Sequence, residues 1–339
     1  MAKTKHLLPP LENEQYFKDT AWMAVPLLCL PCYFYGIRPA LLCIVAAVVA
    51  NLCDRVISKL RNRPYNAKDY SSESCAVLLA LLMPAGIAWY VLIVAVLACV
   101  LLGKEAFGGY GGYPFHPTAV GYAVAAVSWP TQMFRYPQLY TKVPVFITEE
   151  LTYTVSMANT LKNGGLPIVS DFDLYMGNFV GAIGVTSALI LATCALLLWV
   201  RRDINFPTVF SFLFICALIV FLFPRQDGLD GAIMETLTAR LNVVKYEMLS
   251  GGLIYGAVLL ICEPYTCPKH WLSRLFYGGL LGAITMMFCY YGVYETGVCF
   301  ALLLISVVAS WLDRKVLATF SLYRAKRALK KQRKGGATR

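Results

Sequence analysis

The chain has 339 residues, 58% of them hydrophobic and only 14% charged, with a formal net charge of +11. Soluble domains average about 45–50% apolar and about 25% charged residues, so a single water-soluble core is excluded. Disorder is excluded as well, because it requires low hydrophobicity together with high charge. What remains is an all-α polytopic membrane protein.

The first 20 residues are polar and lack the charged, apolar, small-residue order of a cleavable signal, so the first helix is expected to direct insertion. Apolar windows then predict ten spans, at about 21–37, 40–57, 74–84, 87–102, 117–133, 176–200, 206–224, 247–262, 273–292 and 296–312. The third is too short to cross a core of about 30 Å as an upright helix. A half-helix broken at Pro84-Ala85-Gly86 is expected there, and broken helices at membrane depth survive only where they line protein or a cavity.

Charge gives the orientation. With the N-terminus in the cytoplasm, 23 of the 30 Lys and Arg fall on inside segments and 7 outside, the asymmetry of the positive-inside rule. Both termini are therefore expected to be cytoplasmic. The long segments 134–175 and 225–246 should face outward, carrying Glu149, Glu150, Asp171, Asp173, Asp227, Asp230 and Glu235. Ten basic residues lie between Arg314 and Arg339, directly after an apolar span. That placement reads as a solvated cytoplasmic tail able to touch anionic lipid, not as a nucleic-acid site.

The resulting domain plan is an N-terminal segment 1–20, a five-helix repeat 21–133, an outer loop 134–175, a second repeat 176–312 and a basic tail 313–339. Five spans per half invert the second half relative to the first, a common transporter plan with sites at the repeat interface. The Gly-aromatic-turn-helix order of 107–123 resembles that of 290–301.

Several stretches resemble one family over about 300 residues. They are Gly103-Lys104-Glu105-Ala106-Phe107-Gly108-Gly109-Tyr110-Gly111, Pro114-Phe115-His116-Pro117-Thr118-Ala119-Val120-Gly121-Tyr122, Trp129-Pro130-Thr131-Gln132-Met133, Gly177-Asn178-Phe179-Val180-Gly181-Ala182-Ile183-Gly184, Leu249-Ser250-Gly251-Gly252-Leu253, Glu263-Pro264-Tyr265-Thr266-Cys267-Pro268 and Glu295-Thr296-Gly297-Val298. In order and spacing they resemble the D subunit of the Rnf electron-transport complex and the B subunit of sodium-pumping NADH:quinone reductase, with length and tail closer to the Rnf protein.

The resemblance implies a urea-transporter-like fold in a bacterial inner membrane. It implies other membrane and peripheral subunits as partners, and electron flow between ferredoxin and NAD coupled to Na⁺ or H⁺ pumping. It also implies FMN linked through its phosphate to a Thr or Ser of the outer loop, and a second, non-covalent riboflavin.

The region that should carry the FMN, 150–164, departs from the family pattern. Aligned on Glu150 and Leu161-Lys162, Ser156 falls at the attachment position. Aligned on a Ser-x-Ala core, Asn159 falls there, which forms no phosphoester, and Thr160 is the alternative hydroxyl. Val185 stands where many relatives carry an acid.

The remaining candidates keep two readings each. Gly108, Gly109, Gly111 and Gly112 precede a helix, where glycines permit close backbone approach. They serve either interhelical packing or the lining of a flavin or cation path. Asp54, Asp69, Glu73, Glu105, Glu263 and Glu295 lie at span ends, as caps or solvated groups, with Glu263 and Glu295 the best acids for ion handling. His116 reads as a turn residue more readily than a proton carrier. Cys29-Leu30-Pro31-Cys32 has redox spacing but sits inside an apolar run, where free Cys fills space. Cys262 and Cys267 lack a second pair for zinc, and His6, His116 and His270 are too scattered to bind a metal. Two functions are open: a flavin-bearing electron-carrying subunit of an ion pump, or a small-solute transporter of the same fold without redox.

Overall fold

The computed structural model describes residues 13–62, 65–66, 68–146, 151–226, 237–250 and 252–335. Glu149, Glu150, Asp227, Asp230, Glu235 and His6 lie outside these residues. The described residues are mostly helical, with almost no sheet.

A short helix α1 (Glu14–Trp22) breaks at Met23 into α2 (Ala24–Tyr35), which stops at Gly36 with a left-handed φ of +82°. Helix α3 (Arg38–Leu60) buries Leu42, Ala46, Ala50 and Cys53, a stripe at helical spacing. Its first residue, Arg38, is itself buried and donates to the carbonyls of Ile87, Pro144 and Val145, clamping both segments to the helix.

Helix α4 (Ser71–Leu81) is nearly all buried. It ends ahead of Pro84, as expected of a half-helix. The next elements are α5 (Trp89–Ala98), continued by a π-helical turn at Cys99–Lys104, then α6 (Pro117–Ser128) and α7 (Pro130–Met133). One departure from all-α is a two-residue antiparallel pair, β1 (Tyr136–Pro137) with β2 (Tyr153–Thr154), in register Tyr136 to Thr154. It closes the base of the long loop, which also holds α8 (Met157–Lys162) and α9 (Asp171–Met176).

The window 176–200 is not one helix. Residues 177–187 are apolar but irregular, and α10 (Ala188–Val200) starts only after Ser187 caps it by accepting from the Ile190 amide. The irregular segment turns back onto the end of α4. The Gly184 amide donates to Leu81 O at 2.7 Å and the Ile183 amide to Met83 O at 3.1 Å. Carbonyls that a helix end leaves without intrahelical partners are thereby satisfied. A side chain at Gly184 would meet Leu81 at 2.8 Å.

Helix α11 (Phe206–Leu222) is followed by α12 (Leu237–Ser250), which bends by 58° into α13 (Leu253–Tyr255) and a second π-helical turn at Gly256–Leu260. Helices α14 (Trp271–Tyr291) and α15 (Val298–Gly335) complete the chain. The α11–α14 contact is close because Gly278 faces the Thr208 carbonyl and Gly282 faces that of Phe212, where an added Cβ would stand 2.8 Å from the oxygen.

Among the described residues three helical stretches are long and apolar enough to cross a membrane: Arg38–Leu60, Trp89–Phe107 and Trp271–Tyr291. The bent pair 237–260 adds a fourth if it counts as one span, and α4, α6, α10 and α11 are shorter apolar helices. The expectation of ten spans rests on hydropathy windows, which count apolar residues whether or not the backbone is helical.

Candidate functional site

Two buried polar centres occupy the turns at opposite ends of α14. With 21 residues and about 1.5 Å rise per residue, that helix separates them by about 30 Å.

At the first end, Glu263 follows the second π-helical turn and is fully buried. Its Oε1 accepts from the Tyr113 hydroxyl at 2.6 Å and its Oε2 from Thr266 Oγ1 at 2.9 Å. His116 Nε2 lies 3.7 Å from Oε2, and both side chains are 1% exposed. His116 is thus more than a turn residue, since it faces a buried carboxyl.

Close by, Lys104 closes the first π-helical turn with only 2% of its surface exposed. Its ammonium donates to Asp54 Oδ2 at 3.2 Å, Asp69 Oδ2 at 2.8 Å and Ser72 Oγ at 2.7 Å. Ser72, Lys104 and Tyr113 line one small pocket with Cys75, so this ion cluster and the Glu263 cluster adjoin. Asp69 also caps α4, accepting from the Ser71 amide and hydroxyl. π-Helical turns recur at functional positions, and here each delivers a charged residue into the interior.

Gly108, Gly109 and Gly111 lie at this end, with φ of +109°, +90° and +77°. Only glycine takes such backbones without strain, so the turn itself explains them. Gly111 also packs against the Tyr265 ring, which an added Cβ would meet at 3.2 Å. A cleft of ≈ 360 Å³ opens beside them, lined among others by Gly111, Tyr113, Tyr265, Thr266, Lys269 and Asp313.

At the other end, Ser156 caps α8, its Oγ accepting from the Asn159 amide at 3.0 Å. The same hydroxyl donates to Glu295 Oε2 at 2.6 Å. Ser156 is 3% and Glu295 9% exposed. Burial pushes the Glu295 carboxyl above the usual glutamate range, against the opposing pull of the Ser156 and Tyr136 hydroxyls. Lys162 makes no ion pair here among the described residues. Its ammonium donates to the carbonyls of Gly292 (2.6 Å), Val293 (2.7 Å) and Tyr294 (3.4 Å), fastening α8 to the turn that carries Glu295.

The sequence candidates therefore divide. Ser156, Thr160 and Glu295 meet at one end, and Gly108, Gly109, Gly111 and Glu263 lie at the other. Sequence reasoning misses Lys104 and Tyr113 as site residues, although a Lys at the end of an apolar run is a usable signal. Cys262 and Cys267 both approach Asn205, and among the described residues no group of three His, Cys, Asp or Glu could hold a metal.

The bonds of Ser156 do not suit a phosphoester. Esterification would remove the proton given to Glu295 and place phosphate charge beside a buried carboxyl, where like charges repel strongly. Thr160, half-buried, gives its hydroxyl to the Ser156 carbonyl at 3.2 Å, a weaker commitment. A non-covalent flavin suits the Gly111–Tyr265 cleft better, for aromatic faces and a few polar groups in a volume of this order are usual for ligand sites.

A family model described as NQR2, RnfD, RnfE family matches residues 2–319. The chain belongs to this family. It is similar to the D subunit of the ion-translocating oxidoreductase complex of Escherichia coli strain K12, at 27% identity over 326 residues, covering 86% of this chain and 89% of that protein. The corresponding protein of E. coli O157:H7 strain EC4115 matches with the same identity and coverage. In this NQR2, RnfD, RnfE member the stretch that the family model spans contains both buried carboxyl centres.

Proposed function

We propose that the chain is the D-type membrane subunit of an Rnf-type ion-translocating oxidoreductase complex. It would lie in a bacterial inner membrane with both termini cytoplasmic and the α8–α9 loop outward. The observation that carries this reading is the family match across almost the whole chain, with relatives that are D subunits of such a complex. The 23-to-7 division of basic residues supports the orientation.

In this reading, partner subunits exchange electrons with ferredoxin and NAD, and this chain supplies the buried acids that handle Na⁺ or H⁺. Riboflavin, when bound, would supply one-electron chemistry in the cleft beside Gly111, where Tyr265, Lys269 and Asp313 are among the lining residues that would hold it. Covalent FMN, if this chain keeps it, would use Thr160 and not Ser156.

An affinity tag on this chain tests the proposal. Several further subunits should co-purify, and reconstituted vesicles should accumulate the ion only when ferredoxin and NAD turn over. A chain that isolates alone and conducts a small solute passively would replace the proposal with the transporter reading.

A further inference from the structure

Helix α3 is the most outward-facing of the three long apolar stretches. Only 33% of its apolar window is buried within the chain, against 50% for Trp89–Phe107 and 44% for Trp271–Tyr291. Its stripe of Leu42, Ala46, Ala50 and Cys53 packs into the core.

The opposite face is exposed along its length. Ile44, Val48 and Leu52 are 58%, 52% and 54% exposed, and Arg55 and Lys59 continue the row, also exposed. Positions three or four apart share one side of a helix, so an apolar row runs directly into two cations a turn apart. From Ile44 to Arg55 the rise is about 16 Å. One leaflet of a bilayer core is about 15 Å deep, so the row and the cations match its depth and its headgroup level.

The two cations have no acid of their own. At this end Lys104 holds Asp54 and Asp69, Arg61 holds Glu105, and Lys18 holds Glu14. Arg55 and Lys59 form no ion pair among the described residues. Arg55 is nonetheless held in place. Its guanidinium lies 5.4 Å from the centre of the Tyr65 ring. The Tyr65 hydroxyl accepts from Asn51 Nδ2 at 2.9 Å, and Asn51 also donates to the Glu73 carboxyl. The stack uses a face of the guanidinium and none of its N–H donors.

We infer that this face of α3 is a binding site for an anionic phospholipid, its phosphate on Arg55 and Lys59 and an acyl chain along Leu52, Val48 and Ile44. Arg55 offers a planar fork that matches phosphate oxygens, and Lys59 adds a point charge. A free phosphate would leave the apolar row bare. An apolar helix of another subunit would cover the row but bury two cations unpaired, which is costly. The site depends on α3 crossing the membrane and not on the complex assignment.

The test uses the full chain, reconstituted into phosphatidylcholine vesicles with a trace of phospholipid carrying a photoreactive acyl chain. Labelled peptides are located by mass spectrometry. A phosphatidylglycerol probe should label residues 44–52 about 30-fold more than its phosphatidylcholine counterpart, the factor that two basic residues near an anionic surface supply. The double variant Arg55→Gln with Lys59→Gln should remove that preference. Tyr65→Leu keeps every charge and should lower it by about 2–5-fold, the worth of an exposed cation–π contact. Arg202→Gln, which removes an exposed cation from another turn, should leave it unchanged.

Equal labelling by the two probes, or an unchanged preference in the double variant, overturns the inference. So does displacement of the phosphatidylglycerol probe by inorganic phosphate. If the double variant fails to fold, Tyr65→Leu decides, with an unchanged preference counting against the site. Labelling that disappears once other subunits are bound would overturn it by giving the face to a partner helix.

Discussion

The two turns that flank α14 each bury a glutamate, and the two are finished differently. Glu263 has a donor on each oxygen, from Tyr113 and Thr266, and a histidine beside it. Glu295 has Ser156 on one oxygen and a cavity beside it. A fully satisfied buried network fixes local structure, whereas an incomplete one is unstable until something completes it. The Glu263 carboxyl is thus held on both oxygens and the Glu295 carboxyl on one, while the first end keeps open atoms of its own, since His116 Nδ1 and Asp54 Oδ1 are buried without a hydrogen-bond partner among the described residues.

The sharpest way to break this contrast is at Lys104, which secures the Glu263 end. Lys104→Met leaves Asp54 and Asp69 facing one another without their cation. Breaking a buried pair in this way costs about 3–5 kcal/mol, so denaturant unfolding in mixed micelles should show a loss of that size. Next is Glu263→Ala, which strips partners from Tyr113 and Thr266 at about 1–3 kcal/mol for each orphaned group. Thermal unfolding should fall clearly, while Glu295→Gln should change it little.

A smaller effect is expected at Ser156. Ser156→Ala removes the α8 cap at about 0.5–2 kcal/mol, visible as a modest drop in unfolding midpoint. Mass spectrometry of the wild-type peptide containing Ser156 should find its hydroxyl unmodified, and an added FMN phosphoryl group on Ser156 would contradict the geometry.

A further prediction concerns pH at the Glu263 end. Burial, reinforced by Asp19, pushes the Asp203 carboxyl up to about 7 from an ordinary value of 3.8. An acid whose folded value is raised holds its proton in the fold. Its stabilisation is complete below pH 3.8 and is lost as pH rises through about 7. Unfolding midpoints should therefore decline across that window, and Asp203→Asn should flatten the decline.

Much of this is legible in the residues alone, for physical reasons that differ by element. Helices α3 and α14 announce themselves because a crossing helix needs a long apolar run, and the half-helix α4 because proline follows it. The segment 177–187 reads wrongly as helix because apolarity reports burial and not backbone shape. Glu263 and Glu295 are visible as acids at turns, yet their difference depends on Tyr113 and Ser156, each about 140–150 positions away in the chain. Lys104 looks like a surface charge beside Glu105, whereas its partners Asp54 and Asp69 come from two other segments. Ser156 reads as an available loop hydroxyl because nothing in the sequence shows how deeply a short loop helix will seat.

The glycine face of α14 has a mechanical consequence. With Gly278 and Gly282 set directly on carbonyls of α11, neither helix can slide past the other without collision, and the pair forms a girder of fixed length. Displacement at one turn cannot be taken up by slippage along that girder. It must reach the far turn as rigid-body motion, or be absorbed at the jointed pieces, the α12–α13 elbow and the stub of α4.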